Sequence, residues 1–296
     1  MNWWRNLKGR IRLAEPLKNH TTFKIGGPAK FFIEPQDPND LRLLLSLVKR
    51  YNLSLLVIGR GSNLLISDKG INGVVLRLNA PWFNKLSYKD NYLEAGSGAL
   101  LSRVVLFAKG HGLSGAEFLV GIPGTVGGAL AMNAGIAQDN RSIAELVESV
   151  TVMDYRGNRK ILNKKDIRFG YRTSSLSKYI ILSALIKLNR KNKEQINDKI
   201  KAYLKYRKLT QDLSKPSAGC IFRNPTGNSA GRLIDLCGLK GKRIGDAGVS
   251  LKHANFILNL GKGSARDVCK LMDLIRKKVN NKFNINLTPE IKIWQK

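Results

Sequence analysis

Gly59-Arg60-Gly61-Ser62-Asn63 sets small residues in a row, so successive backbone N–H groups can face one anion, with Ser62 and Asn63 adding side-chain donors. An ordinary turn between strands would use the same residues. Leu64 stands where a G-x-G-x-x-G fingerprint needs glycine, and the chain has no G-x-x-x-x-G-K-[ST] run. A second glycine-rich stretch, Gly121-Ile122-Pro123-Gly124-Thr125-Val126-Gly127-Gly128, continues to Asn133 and Gly135. A flat or phosphorylated ligand can approach such a backbone closely. Gly127-Gly128 lead into a helix predicted over Ala129–Ala134, whose N-terminus would suit an anion; a tight packing crossover is the alternative. Two such loops on one basic chain point to a dinucleotide-sized ligand.

Three further stretches carry reactive groups. Tyr171-Arg172 puts an aromatic beside a guanidinium, the natural bidentate clamp for carboxylate or phosphate, although such a pair is also ordinary surface. Cys220 follows Ala218-Gly219, which leaves room for a ligand near its sulfur; as a small buried hydrophobe it would need no function. Cys237 and Cys269 fall within predicted helices and read as packing. Glu290, beside Pro289, is the only acid within ten residues on either side and suits either acid–base work or a salt bridge. His20, His111 and His253 are far apart, and no cysteine has ligand spacing, so no metal is expected.

These groups need elements to hold them. Residues 29–35 read as a strand, Asp37 as an N-cap and Pro38 as the first helical residue, with Leu41, Leu44, Leu45 and Val48 forming an apolar face. Strands over 53–58, 64–66 and 74–78 complete a β-α-β arrangement around the glycine turn. Further along, the pattern predicts strands over 92–95, 147–154 and 179–188, and helices over 100–110 and 196–208. Beyond Pro216 come a small-residue loop, helices over 230–237 and 265–278, a strand over 256–260 and a last strand over 287–294 carrying Glu290. The expected boundary follows residue 208, giving residues 1–208, in lobes of 1–78 and 79–208, and residues 209–296.

Length and composition bound the function class. The 296 residues are enough for two domains, and 43% hydrophobic with 24% charged residues is a globular balance. Neither a membrane-length apolar run nor a secretory h-region at Met1–Arg10 is present, so the expected setting is cytoplasmic, without membrane insertion. Lys and Arg outnumber Asp and Glu by 51 to 21, a net +30. That field attracts nucleic acids and anionic small molecules alike. The densest basic stretch, 187–208, alternates with Ile196, Ile200 and Leu204 at helical spacing and reads as a solvated helix face.

Taken in order, Leu17–Ala29, Gly59–Leu65, Gly121–Gly128 with Met132–Gly135, Phe169–Arg172, Ser217–Pro225, Ala230–Ile234, Gly238–Gly241, His253–Phe256 and Pro289-Glu290 resemble the UDP-N-acetylenolpyruvoylglucosamine reductase family. The resemblance covers about residue 14 to the C-terminus and is closest to the compact subtype. It implies an α+β chain: a two-lobed FAD-binding fold of the vanillyl-alcohol-oxidase (PCMH) type and a C-terminal α+β substrate-binding domain. FAD would lie along Gly59, Arg60, Gly61, Ser62, Asn63 and Leu64 for its pyrophosphate. Gly121, Ile122, Pro123, Gly124, Thr125, Gly127, Gly128 and Asn133 would line its flavin side.

NADPH would reduce the flavin, and hydride from its N5 would reach the vinyl carbon of an enolpyruvyl sugar nucleotide. Arg172 would clamp the substrate carboxylate, Glu290 would work with it, and Tyr171, Asn224 and Lys205 would bind substrate. At Cys220 the better-known members carry serine as the proton donor; a thiol is more acidic yet still mostly protonated at neutral pH, so it can donate. A monomer with small-molecule partners and no nucleic acid is the expectation. The rivals are another FAD-dependent oxidoreductase on the same fold, such as a hydroxy-acid or sugar dehydrogenase, and a colourless nucleic-acid binder with a steep salt dependence.

Overall fold

Short polar turns at strand ends gain meaning only from what the strands pack against. The computed structural model describes residues 3–136 and 139–295, and the chain divides into two compact units. Unit 1 comprises Met1–Arg12, Phe31–Arg60 and Gly73–Tyr206; unit 2 comprises Leu13–Lys30, Gly61–Asn72 and Arg207–Lys296. The C-terminal piece thus begins beside the expected boundary, but two N-terminal pieces join it that no linear division contains. Both units mix helix and sheet.

In unit 1, α1 (Pro38–Arg50) forms for the reasons its sequence gives. The Asp37 carboxylate accepts from the N–H groups of Asn39 and Asp40, Pro38 fills the first helical position, and Leu41, Leu44, Leu45 and Val48 are buried. They share a core with Phe31, Ile33, Val74 and Leu76. These belong to a sheet ordered β1 (Arg10–Pro16), β2 (Pro28–Glu34), β5 (Ile71–Arg77), β3 (Leu55–Ile58), in which β3 and β5 are parallel.

A second, antiparallel sheet is ordered β12 (Arg159–Asn163), β11 (Val147–Met153), β15 (Ile180–Lys187), β7 (Tyr92–Gly96), β6 (Leu86–Lys89). Its core includes residues of α2 (Leu101–Gly110), α3 (Val126–Ala131) and α4 (Lys193–Thr210). In α4 only Ile196 and Ile200 are buried, so the lysine-rich remainder is a solvated face. Short pairs connect the larger elements: β8 (Leu113–Ser114) with β16 (Asn189–Arg190), β9 (Gly135–Ile136) with β10 (Arg141–Ser142), and β13 (Phe169–Gly170) with β14 (Thr173–Ser174).

Unit 2 is built on an antiparallel sheet ordered β17 (Ser217–Cys220), β20 (Phe256–Asn259), β19 (Ala247–Val249), β18 (Arg243–Ile244). Leu233 and Ile234 of α5 (Ala230–Leu236) and Val268, Leu271 and Ile275 of α6 (Ala265–Phe283) fill its core, which also takes Leu65 of β4 (Leu64–Ile66). β4 pairs in parallel with β21 (Lys292–Trp294). The last strand is therefore shorter than expected, and Glu290 precedes it rather than lying in it. The chain changes partner here: Thr288–Glu290 bonds to Ile221–Arg223, then β21 takes up β4. Pro289, with no N–H to give a ladder, sits at the changeover.

Among the described residues, no helix is long and apolar enough to cross a membrane. Asp68, in the turn after β4, accepts from Ala265 N at 2.8 Å and Arg266 N at 3.2 Å, setting a carboxylate at the N-terminus of α6. Asp68→Ala is expected to lose about 1–2 kcal/mol, read as a lower urea midpoint at unchanged slope. An unmoved midpoint would mean that the contact adds nothing to stability.

Candidate active site

The first glycine turn and the second glycine-rich loop come together in unit 1 at Gly59. A Cβ there would stand 2.6 Å from Thr125 Oγ1. Thr125 cannot yield freely, because the same oxygen accepts from Gly128 N and caps α3. Around this contact opens a cleft of about 740 Å³, lined by Gly59, Arg60, Arg77, Trp82, Lys85, Gly98, Arg103 and Thr125 among others. Arg60, Arg77, Lys85 and Arg103 make it cationic, and Trp82, 40% exposed, offers an aromatic wall.

Behind it, the buried Glu34 accepts from Arg12 Nη2 at 2.8 Å, with Arg77 Nε 3.9 Å from its other oxygen. Burial lowers the Arg77 pKa and Glu34 opposes that shift, so the guanidinium keeps its charge. Ser97, buried next to Gly98, has a hydroxyl without a hydrogen-bond partner among the described residues. Arg77, Trp82, Lys85 and Arg103 escaped the sequence reading, since no local pattern marks them; the two sheets and α2 bring them to one place.

The N–H groups of the two loops differ. The helix predicted over Ala129–Ala134 is in fact Val126–Ala131, and its first donors are already taken. Val126 N gives to Ala99 O at 2.9 Å, Gly127 N to Ser97 O at 2.8 Å and Gly128 N to Thr125 Oγ1. The expected helix end facing an anion is thus corrected: those donors fasten the loop to Ser97–Ala99, and the loop offers shape. By contrast, the N–H groups of Gly59, Arg60, Gly61 and Ser62 meet no acceptor among the described residues.

Arg172 is the second residue of the tight turn between β13 and β14 and takes φ 55. That left-handed conformation costs a residue with a Cβ about 1–2 kcal/mol. Its Nη1 donates to Gly135 O at 3.0 Å and its Cζ lies 5.4 Å from the Tyr171 ring centroid. Asn133 braces the same hairpin, Nδ2 giving to Gly170 O and Oδ1 accepting from Ala144 N. Tyr171 is exposed, as is Lys205 on α4.

Unit 2 gathers Asn63, Cys220 and Glu290. Ser217 pairs with Leu258 but Cys220 with Phe256, so β17 carries a bulge, absorbed by Gly219 at φ 77. Bulges re-aim the side chain that follows, here the half-buried Cys220. The next residues lie between two partners. On one side Ile221 N gives to Asn255 O, Phe222 N gives to Asn255 Oδ1 at 2.9 Å, and Asn255 Nδ2 gives to Phe222 O at 2.8 Å. On the other, Glu290 N gives to Ile221 O at 2.7 Å and Arg223 N to Thr288 O at 2.9 Å. Asn63 Nδ2 donates to Glu290 O at 3.2 Å, and Asn63 O accepts from Lys292 N. Asn224 is exposed and its Oδ1 accepts from Ala230 N at the start of α5.

A family model described as the C-terminal domain of UDP-N-acetylenolpyruvoylglucosamine reductase matches residues 211–294, and an FAD binding domain matches residues 29–163. UDP-N-acetylenolpyruvoylglucosamine reductase 2 of Symbiobacterium thermophilum is 42% identical over 288 residues, covering 97% of this chain and 92% of that protein. The chain belongs to the UDP-N-acetylenolpyruvoylglucosamine reductase family. The Bacillus subtilis reductase is 41% identical over 288 residues, 96% of this chain and 94% of that one. A crystal structure of the reductase from Thermus caldophilus matches with a TM-score of 0.82 at 36% identity, covering 98% of this chain and 100% of that chain. The resemblance, the α+β class and the FAD-binding fold are thereby borne out.

The unit 1 cleft fits FAD: cations for a diphosphate, an aromatic wall for a ring and a glycine where a side chain would intrude. Gly59→Ala is expected to raise the Kd for FAD at least tenfold, measured by fluorescence titration of apoprotein, because the new methyl displaces Thr125. Equal affinity would show that the loop yields without cost.

His253, ring centroid 4.7 Å from that of Phe256, has its pKa pushed below the ordinary 6.5 by burial, with Lys240 adding to the shift. A base harder to protonate when folded stabilises fully above pH 6.5 and loses that contribution as pH falls from there through its folded pKa. Tm should therefore drop more between pH 7.5 and 5 in the parent than in His253→Gln; parallel drops would contradict the shift.

Proposed function

We propose that the chain reduces UDP-N-acetyl-3-O-(1-carboxyvinyl)glucosamine to UDP-N-acetylmuramate with NADPH, as a cytoplasmic monomer supplying peptidoglycan synthesis. The observation that carries this reading is the hydrogen-bonded set in unit 2 that ties Ile221–Arg223, directly after Cys220, to Glu290 and Asn63 in a chain of this family. FAD, when bound, takes electrons from NADPH and supplies them as hydride.

The chain's own residues do the rest. Hydride addition to an enol ether needs its carboxylate to take up negative charge, and the Arg172 guanidinium suits that oxyanion, a stabilisation worth about 3–4 kcal/mol where donors are preorganised. The strained φ of Arg172 supports the assignment, since strain persists where function keeps it. Cys220 Sγ–H gives its proton to the carbon bearing the ether oxygen, and Glu290 acts with Arg172 on the developing dianion. Tyr171 and Asn224 orient the sugar nucleotide, Lys205 meets its diphosphate, and Gly59, Arg60, Gly61, Ser62 and Asn63 hold the cofactor diphosphate. Support for the last comes from the open N–H groups of Gly59–Ser62.

Incubation with NADPH and the enolpyruvyl sugar nucleotide in deuterium oxide tests the reaction. The product should be UDP-N-acetylmuramate carrying deuterium on the ether-bearing carbon, whatever the label at the vinyl carbon. No product, or a colourless protein that instead binds duplex DNA with a steep salt dependence, would overturn it.

Stopped-flow measurement should show Cys220→Ala slowing flavin reoxidation by substrate about 10²–10⁴-fold. Arg172→Lys should slow it about 10²–10³-fold. Flavin reduction by NADPH should stay within about twofold of the parent, and Cys220→Ser should restore part of the lost rate. Unimpaired reoxidation in Cys220→Ala would remove the thiol from the mechanism.

A further inference from the structure

We infer that Asn255 is the positioning residue of the proton-transfer step: its buried amide fixes Ile221–Arg223 and so sets Cys220 in register with Glu290. The inference rests on the roles proposed above for Cys220 and Glu290.

Asn255 is 3% exposed and lies one residue before β20. Its backbone carbonyl takes the Ile221 N–H, continuing the β17–β20 ladder past the bulge. One residue further the ladder has no strand left, and the side chain replaces it. Oδ1 accepts from Phe222 N and Nδ2 donates to Phe222 O, the pair of bonds a peptide group would make. Only a planar group with donor and acceptor at this reach does both; a carboxylate lacks the donor and an aliphatic side chain lacks both.

The segment so held spans the distance between the two reactive residues. Cys220 is its N-terminal neighbour, and its other edge fixes Glu290 through Ile221 O. Release of the Phe222 carbonyl would let Cys220 shift against Glu290, and displacement of about 1 Å can cost about 10²-fold in rate. Asn63 also touches Glu290, but it lies in the cofactor turn, so its loss would disturb FAD as well. Asn255 is clear of that turn's contacts and reports on the proton donor alone.

Asn255→Asp keeps the shape and the acceptor for Phe222 N while losing the donor; Asn255→Ser is a second, smaller variant. Both should retain FAD and be reduced by NADPH within about twofold of the parent rate. Reoxidation by the enolpyruvyl sugar nucleotide should slow at least tenfold, with a larger solvent deuterium isotope effect as proton transfer becomes limiting. Peptide-level hydrogen exchange, which needs neither cofactor turnover nor substrate, should rise for residues 219–223 and 288–291 and stay unchanged in α6. Unchanged reoxidation would overturn the inference, as would equal losses in both half-reactions, exchange rising through α6, or failure of both variants to fold. A parent protein whose reduced flavin is not reoxidised by this substrate would sink the proposed function instead, with the exchange result still testing the clamp.

Discussion

Five hydrogen bonds saturate the backbone from the Ile221 N–H to the Arg223 N–H, and the arrangement of unit 2 around Cys220 and Glu290 follows from that constraint. A buried peptide group left unpaired costs about 1–3 kcal/mol, so this segment cannot drift. Its partners come from three distant parts of the sequence: the residue before β20, the stretch before β21 and, through Glu290, the glycine turn. A thiol and a carboxylate that are seventy residues apart in sequence are thereby held at fixed stations by backbone that has no chemistry of its own. The bulge at Gly219 is part of the same device, because it turns Cys220 out of the regular pleat just where the clamp begins.

In unit 1 the governing constraint is charge. A net +30 spread over the surface says little, and α4 shows why: its lysines face solvent above two buried isoleucines. The four cations of the cleft are different, since they converge on one concavity beside Trp82 and a glycine turn with open N–H groups. Low-dielectric walls focus such a field on an anion. Arg77 lies 3.9 Å from a buried carboxylate, Glu34, which Arg12 pairs at 2.8 Å. Breaking such a group by removing one partner is costly, because the remaining charge stays buried.

What the sequence made legible was whatever is settled locally. The Asp37 cap, Pro38 and the leucine face placed α1 correctly because caps and periodicity act within a few residues. The small residues before Cys220 and the isolation of Glu290 were visible for the same reason. Misreadings came where tertiary bonds decide. Val126 and Gly127 could begin α3 only because Ala99 and Ser97 accept their N–H groups. Leu65 belongs to the core of unit 2 although residues 61–72 are a short piece with unit 1 segments on both sides in sequence, and nothing near it announces that. Glu290 was expected within a strand, but the chain exchanges one partner for another at Pro289. Asn255 fell within the matching segment His253–Phe256, but its role was not legible, because an asparagine between strands usually makes a turn and its clamp is thirty-three residues away.

The most direct measurement is the anaerobic absorption spectrum of the purified protein, recorded first with NADPH and then with one equivalent of UDP-N-acetyl-3-O-(1-carboxyvinyl)glucosamine. A flavin band that NADPH bleaches and the sugar nucleotide restores in full is the result expected if the cleft holds FAD and the Cys220 thiol is the proposed proton donor. A protein without a flavin band after FAD addition, or a bleached band that the sugar nucleotide leaves unchanged, would contradict it.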